Sequence, residues 1–270
     1  MIALFGDSWA RQAYCHVTTT DPMGYRHWYH KDITVSLQQN TWLHHFFQTT
    51  PSLNHAEFGN STDMILQNLY HFENIARLHV QVNYVIFQTD PLRIFSPRLD
   101  YTDYNTVWPR LCAWSQDHNF DLETGSIDSL VELVYSQWYM ELKNFEILQK
   151  NKNCNSQLFL IGGVSKIHPC IQKTDLQVMI PSVTEFFGHK QDLVFENRAS
   201  LINLVKFWRQ NVGRAQSNLL QEEWHWCEKS LQRKENFWIA CPEYFAGRHL
   251  TAKGMQGVAE HIEKILLDRS

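Results

Sequence analysis

Short apolar runs alternate along this chain with longer segments in which apolar residues return every three or four positions. Ile2 to Phe5, Tyr84 to Phe87, Leu158 to Ile161 and Phe237 to Ala240 are short and largely apolar, and His55 to Phe58 is a weaker run. Runs of that length without polar alternation suit strands buried on both faces of a parallel sheet. Between them, Met64, Ile65, Leu69, Phe72 and Ile75 fall at helical spacing, as do Leu130, Val131, Val134, Trp138, Leu142 and Phe145, and then Leu201, Leu204, Val205 and Trp208. A last helix is expected from Ala252, with Met255, Val258, Ala259, Ile262 and Leu266 as its inner stripe and Thr251 as its cap. Strands that alternate with helices predict an α/β fold with about five mostly parallel strands. Residues 95–125 and 165–195 read as irregular stretches, and because each follows a strand, each is a candidate wall for a ligand crevice.

Composition narrows the classes. At 270 residues the chain suits one large α/β domain spanning residues 1–270. A formal charge of −4 gives no basic field to attract nucleic acid, and no apolar stretch reaches the length of a membrane span. Met1 leads straight into an apolar run too short for a signal peptide, so the expected compartment is the cytoplasm. Cys15, Cys112, Cys154, Cys170, Cys227 and Cys241 are dispersed with no Cys-x-x-Cys pair, which favours free thiols and argues against a structural zinc site. The adjacent His44 and His45 point to different sides of any regular element. No metal and no organic cofactor is expected.

The candidate chemistry lies at the two ends. In Phe5-Gly6-Asp7-Ser8-Trp9 an apolar strand ends at a glycine, and a serine stands two residues later at the expected start of a helix. There its hydroxyl would emerge at the rim of the sheet, beside backbone N–H groups able to hold an oxyanion. The plain alternative for Gly-Asp-Ser is a helix cap in a turn. At the other end, Gly247-Arg248-His249-Leu250-Thr251-Ala252-Lys253-Gly254 places a histidine just before a capped helix. A serine hydroxyl does not ionise at neutral pH and needs such a base.

This pair resembles the first and last sequence blocks of the SGNH/GDSL hydrolases, a superfamily of serine esterases, lipases and carbohydrate O-deacetylases. The resemblance implies a flavodoxin-like, doubly wound sheet, with Ser8 as nucleophile, His249 as base, and Asp7 in a supporting position. Asn54-His55-Ala56-Glu57-Phe58-Gly59-Asn60-Ser61 is similar to the second block, which assigns an oxyanion-hole N–H to Gly59. Val85-Ile86-Phe87-Gln88-Thr89-Asp90-Pro91 stands where the third block follows its strand. Read in order, the blocks take in the chain from residue 5 to about residue 262.

Two positions depart from the family pattern. Asp90 occupies the place of the oxyanion asparagine, so it must be protonated, turned away or paired with a cation such as Arg93, and the Thr89 hydroxyl is an alternative donor. A simple turn at Thr89-Asp90-Pro91 is the competing reading. The family's acid lies three residues before the histidine, where this chain has Ala246. Glu243 is the nearest carboxylate, and a backbone carbonyl orienting the imidazole in a Ser-His dyad is the alternative. The resemblance implies hydrolysis of an O-acetyl or short acyl ester, on a small molecule or a carbohydrate. Acyl transfer to a sugar hydroxyl would use the same residues, and a degenerate carbohydrate-binding or assembly protein is the non-enzymatic alternative. His27, Trp28, Tyr29 and His30 are candidates for substrate contacts, whereas Trp224, His225, Trp226 and Cys227 read as packing residues, and Gly162-Gly163 as a turn.

Overall fold

The computed structural model describes residues 1–6, 10, 46–56, 62–76, 81–89, 104–152, 156–163, 166–188, 205, 209, 243–246 and 249–269. In chain order the elements are β1 (Ile2–Phe5), β2 (Ser52–Asn54), α1 (Thr62–Ala76), β3 (Asn83–Gln88), α2 (Tyr104–Asp117), α3 (Ile127–Asn151) and β4 (Gln157–Gly162). A 3-10 turn (Pro169–Lys173), β5 (Gln177–Ile180), the short α4 (Val183–Phe186), β6 (Phe245–Ala246), β7 (His249–Leu250) and α5 (Ala252–Leu267) complete them. Strands β1 to β5 form one sheet in the order β2-β1-β3-β4-β5, every neighbouring pair parallel. That is the flavodoxin-like strand order, with its switch point between β1 and β3.

Alternation along the strands explains both covering layers. Ala3, Phe5, Tyr84, Ile86, Leu158 and Leu160 point to one face, where Ile65, Leu69, Leu111, Val134, Tyr139 and Leu142 of α1, α2 and α3 meet them. Ile2, Leu4, Val85, Phe87, Phe159 and Ile161 point to the other, against Phe245, Leu250, Met255, Val258, Ala259 and Ile262. Both faces are apolar because both are buried, hence the unbroken hydrophobic runs. The helix stripes beginning at Met64, Leu130 and Met255 fall within α1, α3 and α5, and Thr251 caps α5 by accepting from the Gly254 N–H at 3.2 Å.

Three expectations change. The strand sought near His55 lies three residues earlier, as β2. It is a sheet edge with Leu53 half-exposed, so no apolar run marks it, and its ladder ends with the His55 N–H donating to the Leu4 carbonyl at 2.8 Å. The stretch 165–195 contains β5 and α4, and β5 supplies the fifth strand of the sheet. The stretch 95–125 contains α2, whose Leu111 and Ser115, four residues apart, are buried. Tertiary packing there overrides a composition rich in turn-forming residues. Phe237 to Ala240 lies outside the described residues. Of the helix sought at Leu201 to Trp208, Val205 is helical and buried.

Candidate active site at the strand exits

Parallel strands leave all their exits on one edge, where Gly6 follows β1 and Thr89 follows β3. Gly6 closes β1 with φ +148, a conformation that side chains disfavour, and a Cβ added there would stand 2.8 Å from the Phe87 Cβ. Glycine is therefore required at position 6 by its own backbone conformation and by the close approach of β3. Two residues past Ser8, the Ala10 carbonyl accepts from Asn54 Nδ2 at 2.8 Å, while Asn54 Oδ1 accepts from the Ala56 N–H at 2.9 Å. Asn54 thus ties the exit of β2 to the backbone of Ala10, two residues past the candidate nucleophile in sequence. His55 beside it is a packing residue. Its ring stacks on Phe5 at 5.3 Å and lies 4.7 Å from Phe72, and burial, helped by His71, lowers its pKa.

The segment that carries His249 reaches the same edge, as the direction of α5 shows. Near the C-terminal end of α5, the Glu263 carboxylate binds the N–H groups of Gln48, Thr49 and Thr50, just before β2 begins, and Arg269 bonds Gln177 at the start of β5. At its N-terminal end, Tyr244 stacks on Phe187 at 4.3 Å, beyond the exit of β5. Helix α5 therefore runs opposite to the strands, and β6 and β7 sit at the strand exits. Their antiparallel pairing sets Ala246 against His249 and Phe245 against Leu250.

Thr251 locks this hairpin to the helix. Its N–H donates to the Tyr244 carbonyl at 2.9 Å and its hydroxyl to the Glu243 carbonyl at 2.6 Å, while the same oxygen caps α5. Gly254 is held so close to the Tyr244 carbonyl that a Cβ would clash. The spacing of His249-Leu250-Thr251-x-x-Gly254 thus has a mechanical explanation: threonine and glycine fix the short strand on which the histidine stands. The Glu243 carboxylate is more than half exposed and pairs with Lys253, whose hydrogen bond holds the carboxyl below its usual range.

The sequence matches no family model and no curated protein. Asp7, Ser8, Gly59, Asp90, Arg93 and the side chain of His249 lie outside the described residues, as do His27, Trp28, Tyr29, His30, Trp224, His225, Trp226 and Cys227. Thr89 is described: it is fully buried and directly follows β3. Asn54, Gln88 and Thr251 were not singled out as site residues. Each is a polar residue at a strand exit or a helix start, and that position is the signal that could have found them.

Other chemistry is sparse among the described residues. No group of three His, Cys, Asp or Glu side chains is placed to hold a metal ion, and no helix is long and apolar enough to cross a membrane. Cys112 and Cys170 are free thiols, and burial, followed by Glu132, pushes Cys170 up to about 11, which leaves it unreactive at neutral pH. Two open cavities of about 390 and 460 Å³ lie along α1, α2 and α3 and share Asp63 and Glu141. Burial raises both of those carboxyls, and Asp63 raises Glu141 further.

Proposed function

We propose that this protein is a serine ester hydrolase in which Ser8 attacks an acyl carbonyl carbon while His249 accepts its proton. The observation that carries this reading is the convergence of two ends of the chain on one edge of the sheet. β1 ends one residue before Gly6, two positions ahead of Ser8 in sequence, and the hairpin whose backbone includes His249 sits at the same strand exits. A nucleophile and its base need such a rigid frame, since neither acts without the other within hydrogen-bond reach. The resemblance to the SGNH/GDSL hydrolases adds the remaining parts. Backbone N–H groups of Ser8 and Gly59 hold the tetrahedral oxyanion, the proton passes from His249 to the leaving alcohol, and water then hydrolyses the acyl-enzyme. This chemistry calls for no metal or cofactor. The preferred substrate is an O-acetyl or short acyl ester, and a carbohydrate carrier is the preferred alcohol.

A second reading has its own observation. Ala246 stands at the family's acid position, and the Glu243 carboxylate is paired with Lys253. That favours either a Ser-His dyad or a protein that binds the acylated carbohydrate without turning it over. A fluorophosphonate probe separates them. Labelling of the wild type that is lost in both Ser8→Ala and His249→Ala supports the hydrolase. Labelling that persists in Ser8→Ala moves the nucleophile elsewhere, and a folded wild type that resists the probe leaves the binding protein.

A further inference from the structure

We infer that a buried relay of Tyr139, Gln88 and the Lys166 carbonyl positions Thr89, the first residue beyond β3, against the chain leaving β4. Gln88 is the last residue of β3, fully buried, and paired in register with Gly162 at the end of β4. Strand alternation turns its side chain toward α3, opposite to Phe87. Gln88 Nε2 donates to the Lys166 carbonyl at 2.7 Å, and Gln88 Oε1 accepts the hydroxyl of Tyr139 on α3. The Tyr139 oxygen in turn accepts the His168 N–H at 2.9 Å. Burial, foremost, drives the Tyr139 phenol well above its ordinary pKa, so it stays a neutral donor at every physiological pH. The segment after β4 is held from outside as well. Lys166 Nζ pairs with Glu185 Oε1 at 2.7 Å, and the His168 ring stacks on Tyr135 at 5.2 Å.

An amide and a phenol are poor choices for filling a core. An aliphatic side chain of similar volume would fill it without the desolvation cost of these polar groups. What the polar pair adds is direction: the bonds fix the rotation of Gln88, and through it the chain at Thr89, relative to α3 and to residues 166–168. Three segments that would otherwise adjust independently, the end of β3, α3 and residues 166–168, are thereby held in one arrangement. Positioning a hydroxyl or N–H to within a fraction of an ångström matters at an oxyanion hole, where one donor is worth about 2.7–4 kcal/mol. Thr89 is the candidate hydroxyl donor at that place, so the catalytic consequence of the relay rests on the esterase reading, while the positioning itself does not.

Tyr139→Phe keeps the ring and deletes the relay's central oxygen. In the folded variant, amide hydrogen exchange at Thr89 and His168 should rise at least tenfold, with the Val258 amide on α5 unchanged. The turnover number for p-nitrophenyl acetate should fall about tenfold with KM within twofold. Gln88→Met removes the partner, and the double variant should be no worse than either single one, because the groups act as a unit. Unchanged exchange at Thr89, or a rise spread evenly over the chain as general destabilisation would give, overturns the relay. So does additivity of the two substitutions. If exchange rises and turnover stays at the wild-type level, the role in positioning a catalytic donor is overturned. If the wild type shows neither turnover nor labelling, the esterase reading fails alone, and the exchange measurements still decide the relay.

Discussion

The Thr251 hydroxyl donates to the Glu243 carbonyl at 2.6 Å while accepting the N–H of Gly254, so one oxygen joins the turn before β6 to the first turn of α5. Loss of an N-cap side chain costs about 0.5–2 kcal/mol, and here a second bond goes with it. Thr251→Ala should therefore destabilise the protein by about 2 kcal/mol, and Thr251→Ser by much less. Thermal unfolding measures the stabilities. In the esterase reading Thr251→Ala also lowers kcat, because the strand bearing His249 loses its anchor.

Gly6 offers a sharper test of the nucleophile turn. Gly6→Ala places a Cβ at φ +148 and within 2.8 Å of the Phe87 Cβ, combining backbone strain with overpacking. Each of those effects costs about 1–3 kcal/mol. The expected result is a stability loss of at least ~2 kcal/mol by denaturant titration. An alanine variant as stable as the wild type would mean that the turn does not have this conformation.

Glu263 sets a pH dependence whose sign can be stated. Burial by itself would raise its pKa, but hydrogen bonds from the backbone of Thr49, Gln48 and Thr50 and from the Thr49 hydroxyl outweigh burial and lower it. A carboxyl that is more acidic folded than unfolded contributes stability above its unfolded pKa, and that contribution disappears as the pH falls through the folded value. The wild type should lose stability on acidification below about pH 4.5, the ordinary glutamate range. Glu263→Gln should be less stable at neutral pH by about 1.5–3 kcal/mol, the worth of a hydrogen bond to a charged group. Its acid dependence should also be shallower. Parallel curves of unfolding free energy against pH for the two proteins would remove Glu263 from this role.

How much of this was legible in the sequence depended on what each element buries. β1, β3 and β4 are central strands with both faces covered, so their composition alone reveals them. The edge strands β2 and β5 carry mixed residues because water reaches one side, and β2 appeared three residues out of place while β5 read as irregular. α5 was read with its cap because Thr251 and the apolar stripe agree. At the site, the residues with reactive groups were easy to name, because serine and histidine in those blocks suggest their chemistry. Apart from Thr251, the residues that hold the frame, Asn54, Gln88 and Tyr139, were harder. Their function is visible only in which carbonyl or hydroxyl each one meets across the fold, and no periodicity encodes that.

Asp90 is testable through charge alone. A carboxylate at the oxyanion position repels the developing charge, and an amide in its place would donate. Asp90→Asn should raise turnover of a small acyl ester if Asp90 is ionised there. If Asp90 is protonated and already donates, the change should be nearly neutral at low pH. A drop of several orders of magnitude at all pH values, in a folded variant, would assign Asp90 a different and essential role.

The group that orients His249 can be read from Glu243. A triad acid stabilises the imidazolium as it forms, and its removal costs roughly four orders of magnitude in kcat. The Glu243 carboxylate is exposed and paired with Lys253, and the acidity it gains comes first from that hydrogen bond. Those contacts describe a surface ion pair, screened by solvent and of little consequence for stability. Its main-chain carbonyl, by contrast, is the one that Thr251 uses, and a side-chain substitution leaves it in place. Glu243→Gln should therefore reduce kcat by less than about tenfold, or ~1.4 kcal/mol of barrier. The acidic limb of the kcat/KM profile, which follows the free enzyme's histidine, should keep its midpoint. A loss near four orders of magnitude together with a limb moved to lower pH would show that the carboxylate leaves Lys253 and serves His249, restoring a full triad in place of the dyad.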